Sequence, residues 1–80
     1  MDLKGAIQKR ISDLCKERLI TPNTLAYSCG ISPSKIYSIL GTKSKSPEIN
    51  TIKIICDGLG ITLAEFFSDK VFDNLEQQIK

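Results

Sequence analysis

The stretch "GISPSKIYSILG", residues 30–41, decides how the chain is read. Gly30 suits the end of a helix, because glycine alone takes a left-handed backbone at little cost. Ser32 suits an N-cap and Pro33 a first helical position, so a new helix begins almost at once. At about 100° per residue, Ile36, Ile39 and Leu40 fall within one sector. Ser34 and Ser38 point the opposite way, Tyr37 lies beside them and Lys35 sits on the flank. So short a helix is stable only when its apolar edge is pinned to a core. Its polar face is then presented outwards.

The same grammar continues on both sides. Upstream, Thr21 can cap and Pro22 can start a helix that carries Leu25, Ala26 and Cys29 on one face and stops at Gly30. Before it, Leu3, Ile7, Ile11, Leu14 and Cys15 form the stripe of a helix from about Leu3 to Arg18. Downstream, the polar run "GTKSKSP", residues 41–47, holds Lys43 and Lys45 among small residues. A fourth helix follows from Ile49 or Asn50 to Gly58, with Ile52, Ile55, Cys56 and Leu59 as its core stripe and Gly60 closing the turn. In "TLAE", residues 62–65, Thr62 and Glu65 form a capping-box pattern ahead of Phe66 and Phe67.

Alternating patterns are too short for strands, so the expected class is all-α: five compact helices and a short C-terminal sixth. The sixth is expected over residues 69–78, where Val71, Phe72, Leu75 and Ile79 share a helical face. That face has two readings. It is a dimerisation surface joined by Phe66 or Phe67, or it folds back onto the first helix. The domain is accordingly divided as 1–68 plus a tail, 69–80.

Composition narrows the function. Eighty residues, 41% hydrophobic and 25% charged, suffice for one globular core. No apolar run has the length of a signal peptide or a membrane span, so the expected compartment is the cytoplasm. The chain has no histidine, and its three cysteines, at 15, 29 and 56, form no Cys-x-x-Cys pair. Each falls on an apolar helical face, which suits small core residues better than metal ligands. There is no Gly-rich phosphate loop and no nucleophile elbow. No enzyme activity, cofactor, metal or small-molecule effector is expected. The net charge of +2 conceals an asymmetry: residues 1–56 hold nine Lys/Arg against four Asp/Glu, and residues 57–80 hold two against five. The basic part suits a polyanion.

Residues 22–41 resemble a helix-turn-helix. Ala26 lets two helices cross closely, Gly30 reverses the chain, and Ile36 and Ile39 pin the second helix. With "KSKSP" and "NTIKIICDGLGITLAEFF" following in order, residues 3–68 resemble the Cro and lambda-repressor (XRE-like) type of bacterial or phage regulator. That resemblance implies a lambda-repressor-like fold and a DNA-binding transcriptional regulator, most simply a dimeric repressor. It implies base reading by Ser32, Ser34, Lys35, Tyr37 and Ser38 from the second motif helix. It implies phosphate contacts by Lys43, Ser44, Lys45 and Ser46, by Asn50 and Thr51 through amides at the start of the fourth helix, and by Thr21, Asn23 and Thr24. The implied partners are a double-stranded operator, an inverted repeat, and a second copy of the chain. Pro22 departs from the glutamine common at the first motif position, and Gly41-Thr42 from the usual Asn-Gly. The competing reading is an antitoxin-type or other protein-interaction module on the same fold.

Overall fold

A computed structural model describes residues 1–41 and 46–79. Its regular elements are all helical: α1 (Leu3–Glu17), α2 (Pro22–Cys29), α3 (Pro33–Leu40), α4 (Ile49–Leu59) and α5 (Leu63–Phe67), then one 3-10 turn over Lys70–Asn74. Among the described residues there is no strand, and no helix is long and apolar enough to cross a membrane.

Local chemistry sets the boundaries. Asp2, Thr21, Ser32 and Thr62 each turn a side-chain oxygen onto an amide of the first turn, which would otherwise lack a partner. At Thr62 the exchange is reciprocal: Glu65 N–H donates to Thr62 Oγ1 at 3.0 Å and Thr62 N–H donates to Glu65 Oε1 at 3.0 Å. Helices α2 and α4 both close on a left-handed glycine, Gly30 and Gly60, each with φ of 71°.

The apolar stripes meet in one core. Ile7, Ile11, Leu14 and Cys15 come from α1, Leu25 and Ala26 from α2, and Ile36 and Ile39 from α3. Ile52, Ile55, Cys56 and Leu59 of α4 and Phe66 of α5 complete it. The central helix is α2, which packs chiefly on α4 and α3. Ala26 is fully buried there, and its small side chain permits the close crossing. Leu3 departs from the expected stripe: it lies in the first turn of α1, beyond the core, and is exposed.

The tail is not the sixth helix expected over residues 69–78. Only a 3-10 turn forms, and Leu75 is already extended, with ψ of 147°. One bond starts the turn and another draws the chain away after it. Asp69 accepts from Val71 N–H at 2.8 Å, and Glu76 N–H donates to the Met1 carbonyl at 3.1 Å rather than back along a helix. The turn packs on α1 and brings Phe72 against the core, its ring 4.9 Å from that of Phe67 and 6.0 Å from that of Phe66. Arg10 holds this end in place. Its guanidinium donates to the Phe66 carbonyl at 2.7 Å and the Glu65 carbonyl at 2.9 Å, and it pairs with Asp69 at 3.5 Å.

Candidate nucleic-acid interface

Burial divides α3 cleanly. Ile36 is fully buried and Ile39 nearly so, while Ser32, Ser34, Lys35, Tyr37 and Ser38 are all exposed. Ser32 Oγ accepts from Lys35 N–H at 3.2 Å, so Ser32 also serves as the N-cap that starts the helix. Tyr37 is 51% exposed, large for an aromatic side chain. The exposed face thus carries one cation, one phenol and several hydroxyls.

The other end of α3 is built differently. Gly41 is extended, with φ of −79° and ψ of 155°, and does not form a left-handed cap. Its N–H donates to the Ser38 carbonyl at 3.2 Å, and a side chain from α1 takes two further carbonyls. Gln8 Nε2 donates to the Ile39 carbonyl at 3.0 Å and the Gly41 carbonyl at 2.9 Å.

Three predicted contacts lie at the start of α2. Thr21 caps that helix, its Oγ1 lying 3.1 Å from Thr24 Oγ1, and Asn23 is exposed beside them. Lys35, Ile39, Ser46, Pro47, Glu48 and Thr51 line an open cleft of about 230 Å³ between α3 and the start of α4. Lys35, Ser46 and Thr51 are therefore brought together. Thr51, however, has a buried side chain, because it continues the inward stripe of Ile52 and Ile55. Only its backbone amide remains suited to an anion. Asn50 is exposed. Glu48 is the N-cap residue of α4 and makes no side-chain capping bond, though its carboxylate places a negative charge at that helix start. Lys43, Ser44 and Lys45 lie outside the described residues.

The predicted dimerisation residues are scattered. Phe66 is fully buried in its own domain, which corrects its assignment to an exposed surface; its ring belongs to the core cluster. Phe67, Val71, Phe72 and Leu75 are half-buried, and Ile79 is exposed. They do not share a helical face, since no helix forms there.

Two residues escape sequence reasoning: Gln8 and Glu48. The first has no local signature, its partners lying 31 and 33 residues away. The second has one, its position just before an apolar helical stripe. Burial pushes the thiols of Cys15, Cys29 and Cys56 above the usual thiol value, so all three are protonated at neutral pH and poor nucleophiles or metal ligands.

The fold has a counterpart among solved structures. The solved crystal structure of the prophage Lp1 protein 11 is similar, with a TM-score of 0.81 and 25% identity over 94% of this chain and 100% of that one. No curated protein sequence matches the chain. A family model, described as the Cro/C1-type HTH DNA-binding domain, matches residues 10–70, which include α2, its turn and α3. The chain belongs to the Cro/C1-type helix-turn-helix DNA-binding domain family.

Proposed function

We propose that this chain is a small transcriptional repressor that binds a specific double-stranded DNA site as a homodimer in the cytoplasm, with α3 laid in the major groove. One observation carries the reading: Ile36 and Ile39 are buried while Ser34, Lys35, Tyr37 and Ser38 stand clear on the other side of the same helix. Family membership supplies DNA as the ligand, and the name of the solved neighbour fits a phage or mobile-element regulator.

The roles follow from donor and acceptor chemistry. Lys35 donates to guanine O6 and N7, the commonest specific major-groove contact for a cation. Tyr37 donates to phosphate or packs on a thymine methyl. Ser32, Ser34 and Ser38 contribute shorter hydroxyl contacts. Thr21, Asn23 and Thr24 on one flank, and Ser46 with the amides of Asn50 and Thr51 on the other, hold the phosphates that bracket the groove. Lys43, Ser44 and Lys45 add to that second flank in this reading.

A single short helix reads few base pairs, so specificity calls for two. Half-site centres about 10–10.5 base pairs apart place two such helices in successive major grooves. The operator is then an inverted repeat. The interface proposed for this dimer uses Val71, Leu75 and Ile79 with the uncovered edges of Phe67 and Phe72. The division into a domain, 1–68, and a dimerising tail, 69–80, belongs to the same proposal.

Selection of bound fragments from a random duplex library tests this directly. Enrichment of an inverted repeat, protected with a two-to-one protein-to-site ratio, is the expected result. Recovery of unenriched sequence by a well-folded protein overturns the reading in favour of a protein-interaction module.

A further inference from the structure

Helix α3 ends differently from α2 and α4. Helices α2 and α4 finish on left-handed glycines, which satisfy their last carbonyls from within the local chain. Helix α3 finishes on an extended Gly41, whose N–H reaches the Ser38 carbonyl at 3.2 Å in place of a left-handed cap. A tertiary group, the Gln8 amide of α1, adds to that local bond by taking two further carbonyls.

The bond geometry also fixes which way that amide points. A carboxamide nitrogen carries two N–H donors, and Gln8 Nε2 has two carbonyls within reach, Ile39 O at 3.0 Å and Gly41 O at 2.9 Å. The reversed amide would set its oxygen against both of them. One carbonyl belongs to the last turn of α3 and the other to the residue after it, so a single group clasps the helix and its exit. A substitution at Gly41 has little room to compensate, since a Cβ there would stand 3.3 Å from the Tyr37 carbonyl. The clasp is half-buried, and Ile7 and Ile11 on the same helix are held in the core. The angle of α3 is thereby referred to a helix anchored in the core.

We infer that Gln8 is a positioning residue for sequence recognition: it touches no DNA but sets the pitch of α3 and the point from which the chain leaves it towards Ser46. The inference rests on the proposed DNA-reading role of α3. Losing the clasp frees the helix end to tilt, which misaligns Lys35 and Tyr37 against base edges while leaving the cationic surface charge intact. The sign of the effect is therefore selective. Binding to a chosen site suffers, and binding to arbitrary duplex does not.

The test compares the parent with Gln8→Ala and Gln8→Glu, each at a temperature where denaturation shows it fully folded. Affinity is read by fluorescence anisotropy on a selected operator and on a scrambled duplex. Gln8→Ala is expected to lose about tenfold on the operator, with the scrambled duplex changed by less than about twofold and the salt slope unaltered. Gln8→Glu keeps the shape but turns acceptors onto two carbonyls, so its operator loss is expected to be larger. Equal losses on both duplexes, or unchanged operator binding by a folded Gln8→Ala, overturn the inference.

Hydrogen exchange gives a second readout that needs no DNA. In Gln8→Ala the amides of residues 38–41 are expected to exchange about tenfold faster while those of α2 and α4 keep their rates. A uniform change across the domain would reduce Gln8 to general stability. If the parent binds no DNA, the function proposed above fails, and the exchange experiment still decides whether Gln8 holds α3.

Discussion

The Sγ of Cys29 in α2 lies against Gly58 in α4 so closely that a Cβ on Gly58 would overlap it, and would also stand 3.2 Å from Cys29 Cα and 3.3 Å from Cys29 Cβ. The same thiol points its S–H at the Ile55 carbonyl, 3.9 Å away. Glycine at 58 is therefore what allows the two helices to approach. Gly58→Ala is expected to destabilise by about 1–3 kcal/mol by overpacking, in spite of alanine's better helix propensity. Adding Cys29→Ala removes the sulfur but not the backbone contacts, so the double variant should recover only part of the loss. Urea unfolding of all four proteins closes the cycle; a Gly58→Ala protein as stable as its parent would show a looser crossing.

Lys35 and Glu48 line the same cleft with opposite charges, and their substitution should move DNA binding in opposite directions. Lys35→Ala is expected to cost about 1–3 kcal/mol on the selected operator and to flatten base preference at one position. Glu48→Gln removes a negative charge beside the proposed phosphate track. It is expected to strengthen binding to every sequence by roughly twofold to fivefold. Anisotropy titrations on operator and scrambled duplex separate the two patterns.

Arg10 is the bolt of the C-terminal segment. Its side chain is 12% exposed, reaches two carbonyls at the end of α5 and Asp69, and lies 6.0 Å from the centre of the Phe66 ring. Arg10→Ala is expected to lower stability by about 1.5–3 kcal/mol, the usual range for hydrogen bonds to a charged group. Limited proteolysis should then cut within residues 69–79 before it cuts elsewhere. Arg10→Lys should rescue only partly, because an ammonium lacks the guanidinium fork that spans both carbonyls.

Leu19 is the only non-glycine described residue with positive φ, at 56°, and it is 93% exposed. A branched side chain gains nothing there and strains the backbone. Leu19→Asn is expected to raise stability by about 0.5–1 kcal/mol, read as a shift of the urea midpoint at constant slope. Unchanged stability would mean that Leu19 is covered by another surface in solution.

Folding raises all three thiols above their ordinary value of 9.0, desolvation by burial being the main cause. The folded chain thus holds these protons more tightly than the unfolded one. Stability from this source is intact below pH 9.0 and is lost as pH rises through the raised values. Unfolding midpoints measured from pH 7 to pH 10 should fall more steeply for the parent than for Cys56→Ala. Native-state alkylation should label Cys29, the half-buried thiol, ahead of Cys15 and Cys56.

The helices of the domain were written in short-range chemistry. Thr21, Ser32 and Thr62 announce starts, Gly30 and Gly60 announce ends, and a period of three to four apolar residues supplies the inward faces. The outward face of α3 follows from the same count, since burying Ile36 and Ile39 leaves Ser34 and Ser38 no other direction. What depends on distant partners is not legible in this way. Val71, Phe72, Leu75 and Ile79 keep helical spacing, yet the segment is held by Arg10, Met1 and the Phe66 and Phe67 rings, and these favour a tight turn and an extended exit. Thr51 looks like a surface hydroxyl but takes a place in the buried stripe of α4. Gln8 sits among polar neighbours on α1, and only the folded chain brings the end of α3 beneath it.

The meeting of Met1 and Glu76 has a mechanical consequence. The Met1 carbonyl accepts from the Glu76 amide at 3.1 Å, and the Met1 amino group lies 3.5 Å from the Glu76 carboxylate. A pull on the chain from both directions therefore loads this clasp first. The 3-10 turn and then the grip of Arg10 on Asp69 come next in line. Helix α3 lies in mid-chain, behind α1, α2 and α4, and takes up tension only after those outer fastenings have opened. A tether at either end would strain the rim of the domain well before it disturbed the surface formed by Lys35 and Tyr37.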